Sequence, residues 1–213
     1  MGNKFKPLPS LGITDWDQVS LPNLVEKITS KSPKPLILID GAAGSGKTTL
    51  AKILAERLQA NLVLTDELCW NADPVQWDGE MLDNIILPWQ AGNDVTYRPT
   101  GWVKENRLGS LDVDPDKALI IEGMGAIRKT LREKATFSIW VDVEPGLARA
   151  RVIERDLASG ADGGTVESIT GFADWWDSLL NPLFIEEKPW EFADVIISGA
   201  SQFNSCFFFK SVL

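Results

Sequence analysis

The sequence predicts an α/β domain in which a mostly parallel sheet lies between two layers of helices. Short, nearly continuous apolar runs recur along its 213 residues, as expected of strands covered on both faces. Segments with helical apolar spacing separate these runs, and such alternation gives parallel strands joined by right-handed crossovers. The length suits one domain with a single continuous core, spanning residues 1–213.

Five strands are expected, at Leu36–Asp40, Leu62–Thr65, Ala118–Glu122, Phe137–Val143 and Asp194–Ser198. Residues 1–20 read as a loosely structured lead-in, followed by a first helix over Leu21–Ser30. After the first strand, Leu50, Ile53, Leu54 and Leu58 fall on one helical face. Pro145 opens a helix after the fourth strand, where proline is favoured. The glycine-rich stretch within 156–166 suits a mobile lid. Val166, Ile169, Ala173, Trp176 and Leu180 then make an apolar stripe that should end or kink at Asn181-Pro182. The tail, 200–213, carries three consecutive phenylalanines suited to docking on the core.

Composition excludes several classes of function. With 21 basic against 30 acidic residues the formal charge is −9, which repels a phosphate backbone and argues against a nucleic-acid partner. No apolar run approaches the ~18 residues of a membrane span, and the first ten residues lack the apolar core of a signal peptide. Cys69 and Cys206 form no metal or CxxC spacing, as in a cytoplasmic protein with reduced thiols. The chain has no histidine, so histidine triads and histidine metal sites are ruled out. A proton acceptor must be sought among the carboxylates.

Gly41, Ala42, Ala43, Gly44, Ser45, Gly46, Lys47 and Thr48, with Thr49 next, fit G-x-x-x-x-G-K-[ST] after a strand and before a helix. Glycines allow the backbone to curl so that successive N–H groups cradle phosphate oxygens, and the helix N-terminus adds partial positive charge. Lys47 is placed to reach the β- and γ-phosphates and Thr48 to ligate Mg²⁺. A triphosphate, ATP with Mg²⁺, is the expected cofactor, and the fold class narrows to a three-layer P-loop NTPase. No [NT]-K-x-D guanine element is present. A small-molecule kinase therefore stands beside an ATPase or nucleotide-dependent switch acting on a protein partner. Either is compatible with a homo-oligomer.

For a kinase, Asp66 at the end of the second strand is the candidate base or a metal-side carboxylate; a cap role is the alternative. Glu122, ending the third strand before Gly-Met-Gly, is the candidate metal carboxylate; Asp142, ending the fourth strand, competes for either role, though a turn or cap suits it better. Arg151 and Arg155, four apart on one helical side, are candidates to neutralise the transferring phosphoryl group, or else a solvated basic stripe. Trp70, Trp77, Tyr97 and Trp102 offer a stacking wall for a ring-shaped acceptor, with packing as the competing role for about half of them. Arg98 and Arg107 would then contact its polar groups.

Together these residues resemble the uridine kinase-like branch of the P-loop nucleoside and nucleotide kinases over roughly 35–199. The resemblance rests on the phosphate loop, on Asp66 after the second strand, on Glu122-Gly123, and on the arginine segment ending in Arg155-Asp156. It implies phosphoryl transfer from ATP to a hydroxyl of a nucleoside-like acceptor, with Asp66 as base. Thr100-Gly101-Trp102 departs from the Tyr-Asp-aromatic element of that branch, and its nucleoside-holding histidine has no counterpart here.

Overall fold

The computed structural model describes residues 8–200 and 206–211. In chain order, β1 (Asp17–Ser20) feeds α1 (Leu21–Thr29), β2 (Leu36–Gly41) and α2 (Lys47–Leu58). β3 (Asn61–Leu64) runs directly into α3 (Thr65–Cys69). A helical stretch follows, made of α4 (Asp78–Met81), a π-turn (Leu82–Ile86) and α5 (Leu87–Gln90). A small hairpin of β4 (Val95–Tyr97) and β5 (Leu111–Val113) holds α6 (Thr100–Lys104) between its strands. Then come β6 (Leu119–Glu122), α7 (Lys129–Arg132), β7 (Phe137–Asp142), α8 (Pro145–Ser159), α9 (Val166–Glu187), β8 (Val195–Ser198) and β9 (Cys206–Ser211).

The main sheet has the order β1-β9-β8-β7-β2-β6-β3. Its five inner-type strands pair in parallel, while β9 pairs antiparallel with β8 and β1 antiparallel with β9. The sheet is therefore seven-stranded rather than five-stranded. The two extra strands come from residues 17–20 and 206–211, read from the sequence as lead-in and tail. Neither announces itself locally, because each becomes a strand only by pairing with the other or with β8. The half-buried Phe209 packs against the core beneath Lys27.

Alternation along the buried strands divides the core between the two faces. Ile37 and Ile39 pack with Leu24 and Ile28 of α1 and Leu50 and Leu54 of α2. Leu36 and Leu38 face the opposite way, toward Trp77, Ile85 and Trp89 on one side and Leu180 and Phe184 of α9 on the other. Pro182 does not end α9, which continues to Glu187. Burial of Leu180, Asn181 and Phe184 around it outweighs the missing backbone hydrogen bond.

Asp40, which no sequence motif singles out, ties the sheet to the loops above it. Its fully buried carboxylate accepts N–H bonds from Gly41 (2.7 Å), Gly125 (3.0 Å) and Ile127 (2.9 Å). Burial pushes its pKa up to about 6, against the pull of those donors and of Lys47. Between pH 4 and 6 the folded chain therefore holds this proton more tightly than the unfolded chain. The group's contribution to stability falls as pH rises through that window, by on the order of 3 kcal/mol, and is constant above it. The amide introduced by Asp40→Asn cannot titrate. The unfolding free energy of the native protein minus that of D40N, from urea melts, should shrink from pH 4 to pH 7; a constant or growing difference would refute this account.

Candidate active site

The phosphate loop closes on β2 and α2 as its glycines require. Gly41, Gly44 and Gly46 all have positive φ, and Gly46 caps α2 in the left-handed region with no side-chain cap. That leaves the first-turn N–H groups of a twelve-residue helix open to an anion. A Cβ on Gly44 would sit 2.2 Å from the Ala148 carbonyl, so α8 presses against the loop from below. Arg151 reinforces this contact, its Nη1 donating to the carbonyls of Gly199 (2.7 Å) and Gly44 (3.5 Å). Arg151 thus buttresses the loop and is not among the residues lining the cavity beside it.

Lys47 bends back over the loop, its Nζ 3.4 Å from the Ala42 carbonyl. The Thr48 hydroxyl donates to Glu122 Oε1 at 3.1 Å. Glu122 is 3% exposed, and its pKa is raised by burial first, with Asp66 also raising it and Lys47 and Thr48 pulling it down. This donor pair fits Mg²⁺, which takes one or two protein oxygens and completes its shell with phosphate oxygens and water. The open N-terminus and Lys47 fit a triphosphate in the same way.

Asp66 is carried to this point by a tight junction. A Cβ on Gly123 would lie 1.9 Å from Thr65 Oγ1, so only glycine lets the end of β6 touch the start of α3. The exposed Asp66 carboxylate consequently lines a cavity of about 530 Å³ together with Lys47 and Thr48. Arg155, one helical turn beyond Arg151, also reaches the cavity. Its guanidinium forks onto the buried Asp156 carboxylate at 2.6 and 2.9 Å. Asp142 takes a structural role, accepting from Ser10 Oγ (3.0 Å) and the Leu11 N–H (3.2 Å) to hold the N-terminal segment.

Of the six residues expected to bind an acceptor, Trp70 alone lines the cavity. Trp77 is 1% exposed and lies under the Arg128 guanidinium, which packs 4.3 Å from its ring. Trp102 is 5% exposed and donates through Nε1 to the Glu67 carbonyl. Arg107 is packed over Trp102 and Trp70 and paired with Glu67 at 2.7 Å. Arg98 donates to the Arg107 carbonyl, and Tyr97 to Glu80 Oε1 at 2.6 Å. Of these five, Arg107 packs directly on Trp70, with Trp102 on the same guanidinium and Arg98 bonded to the Arg107 carbonyl. Trp77 and Trp102 are turned into the interior, an orientation that sequence spacing does not show.

The facing aromatic wall comes instead from α9. Phe172, Trp175 and Trp176 line the cavity, their ring centroids 5.4 to 6.2 Å apart. Trp176 belongs to the apolar stripe read from the sequence. Phe172 and Trp175 lie beside that stripe, a widening that a core-facing helix does not need. Asp162 closes the same end from the turn between α8 and α9, where Gly160, Asp162, Gly163 and Gly164 are all left-handed.

Among the described residues, no helix is long and apolar enough to cross a membrane. No protein-family model and no curated protein matches the chain. Solved structures do match, two of them as follows. A candidate fructose transport system kinase from Silicibacter sp. TM1040 superimposes with a TM-score of 0.58 at 20% identity, covering 79% of this chain and 95% of that one. A candidate uridine kinase from Bacillus stearothermophilus gives 0.50 at 18% identity, covering 82% and 95%. Identities this low speak for the fold alone: a mostly parallel sheet between layers of helices, shared with both structures.

Proposed function

We propose that the protein is an ATP- and Mg²⁺-dependent kinase that transfers the γ-phosphoryl group to a hydroxyl of a small, nucleoside-like acceptor. The observation that carries this reading is one cavity shared by the phosphate-loop pair Lys47 and Thr48 and by the exposed carboxylate of Asp66. A hydrolytic switch needs no acceptor-sized chamber beside its phosphate loop. Here about 530 Å³ is available, enough for a ring-bearing alcohol.

ATP supplies the transferable phosphoryl group, and Mg²⁺ neutralises its oxygens. Lys47 and the loop amides hold the phosphates. Thr48 and Glu122 hold the metal side, and Arg155 faces the transferring group across the cavity. Asp66 takes the proton of the acceptor hydroxyl as its oxygen bonds to phosphorus and the β–γ bridge breaks. Arg151 keeps the loop in register from beneath. Two aromatic surfaces, Trp70 and the α9 cluster, enclose the acceptor and exclude water.

Screening nucleosides, sugars and vitamin precursors tests the reading. At least one alcohol should stimulate ADP release tenfold or more above the basal rate. If none does, while a protein partner stimulates release, the kinase assignment is replaced by the switch.

A further inference from the structure

The chemistry of the cavity beyond the phosphate loop is one-sided. Its charged lining consists of Lys47 and Arg155 against Asp66, Asp156 and Asp162. Arg155 is forked onto Asp156, and Lys47 belongs to the phosphate loop. Asp66 and Asp162 are left without a cationic partner at hydrogen-bond distance. Trp70, Phe172, Trp175 and Trp176 line the same cavity. Trp70 and Trp175 are 38% and 47% exposed and Phe172 is 45% exposed, so substantial ring surface is open to a ligand.

Three carboxylates face two cations here, and Arg155 already shares its charge with Asp156, so an anionic ligand would add to an acidic excess. A neutral ring would leave both carboxylates uncompensated, and a bound triphosphate would add more negative charge nearby. A metal ion is also a poor match, since no three acidic or thiol groups among the described residues converge closely enough to hold one. Aromatic faces combined with unpaired carboxylates suit an organic cation, which the ring quadrupoles attract and the carboxylates neutralise. Resting on the kinase reading above, we propose that this cavity takes a positively charged alcohol, its cationic centre held by Asp162 and the α9 aromatics and its hydroxyl directed to Asp66. Partial burial, and then Asp156, hold the Asp162 carboxyl above its ordinary range against the opposing pull of Arg155, a cost that a bound cation relieves further.

Pairs of probes that differ in charge alone test this by equilibrium binding, with no turnover required. Choline is compared with 3,3-dimethylbutan-1-ol, and 1-methylpyridinium-3-methanol with 3-methylbenzyl alcohol, by calorimetry on the intact protein. Each cation should bind at least tenfold more tightly than its neutral isostere. D162N should reduce that preference at least threefold, and W175A should weaken both cations, with circular dichroism and melting temperature confirming that each variant is folded. Equal or tighter binding of the neutral probes, or a preference untouched in folded D162N, overturns the proposal. Rapid phosphorylation of a neutral nucleoside in preference to every cation would overturn it too, while leaving the kinase reading intact. Conversely, cation binding without acceptor-dependent ADP release would support the cation site and remove the kinase.

Discussion

Asp66→Asn is expected to lower acceptor-dependent ADP release by roughly 10²- to 10⁴-fold, the usual scale of general-base catalysis. ATP affinity should stay within about threefold of the native value. The reason lies in the placement of Asp66. It begins a short helix, next to the residue that packs against Gly123, and its carboxylate is exposed to the cavity rather than spent on a cap. Asparagine preserves shape and can still orient a hydroxyl, but it cannot take the proton. Single-turnover rates and calorimetric ATP binding on the same preparation separate the two effects. Native-like turnover would assign the base elsewhere. A fall in ATP affinity equal to the fall in rate would make Asp66 a metal-side ligand instead.

The second large effect is expected at Lys47. K47A should bind ATP roughly 10- to 100-fold more weakly, since a hydrogen bond between charged groups contributes about 1.5–3 kcal/mol and each tenfold is about 1.4 kcal/mol. The fold should be little affected. In the protein alone the Lys47 ammonium makes a single long bond, 3.4 Å to the Ala42 carbonyl, and removing it leaves no charged partner stranded. Unchanged nucleotide affinity with an unchanged melting temperature would contradict the assignment of this loop as a triphosphate cradle.

The two sides of the site differ in how they are encoded. The nucleotide side is contiguous: the strand, glycine loop, lysine, threonine and helix occupy one run of residues, with the backbone geometry dictated by glycine at positive φ. The proposed acceptor side draws on α3, the α8–α9 turn and α9. Strand ends in such sheets face the crevice, and Asp66 does line the cavity; of the aromatics expected at positions 70–102, only Trp70 lines it. Trp77 and Trp175 are the same residue type, each with an aspartate beside it in the sequence. One is sealed beneath Arg128, and the other is open to the cavity. Asp40 gives the same lesson for stability, because its donors at Gly125 and Ile127 lie more than eighty residues away.

By itself, then, the sequence determined the α/β class, the five parallel strands, the phosphate loop and the carboxylates at the strand ends. Each is written in local periodicity or in glycine's conformational freedom. Tertiary structure alone decided the two antiparallel edge strands, the buttressing role of Arg151 and the aromatic, acid-rich lining of the cavity. Those depend on which distant segments meet and which way their side chains turn, and burial of the whole core settles both.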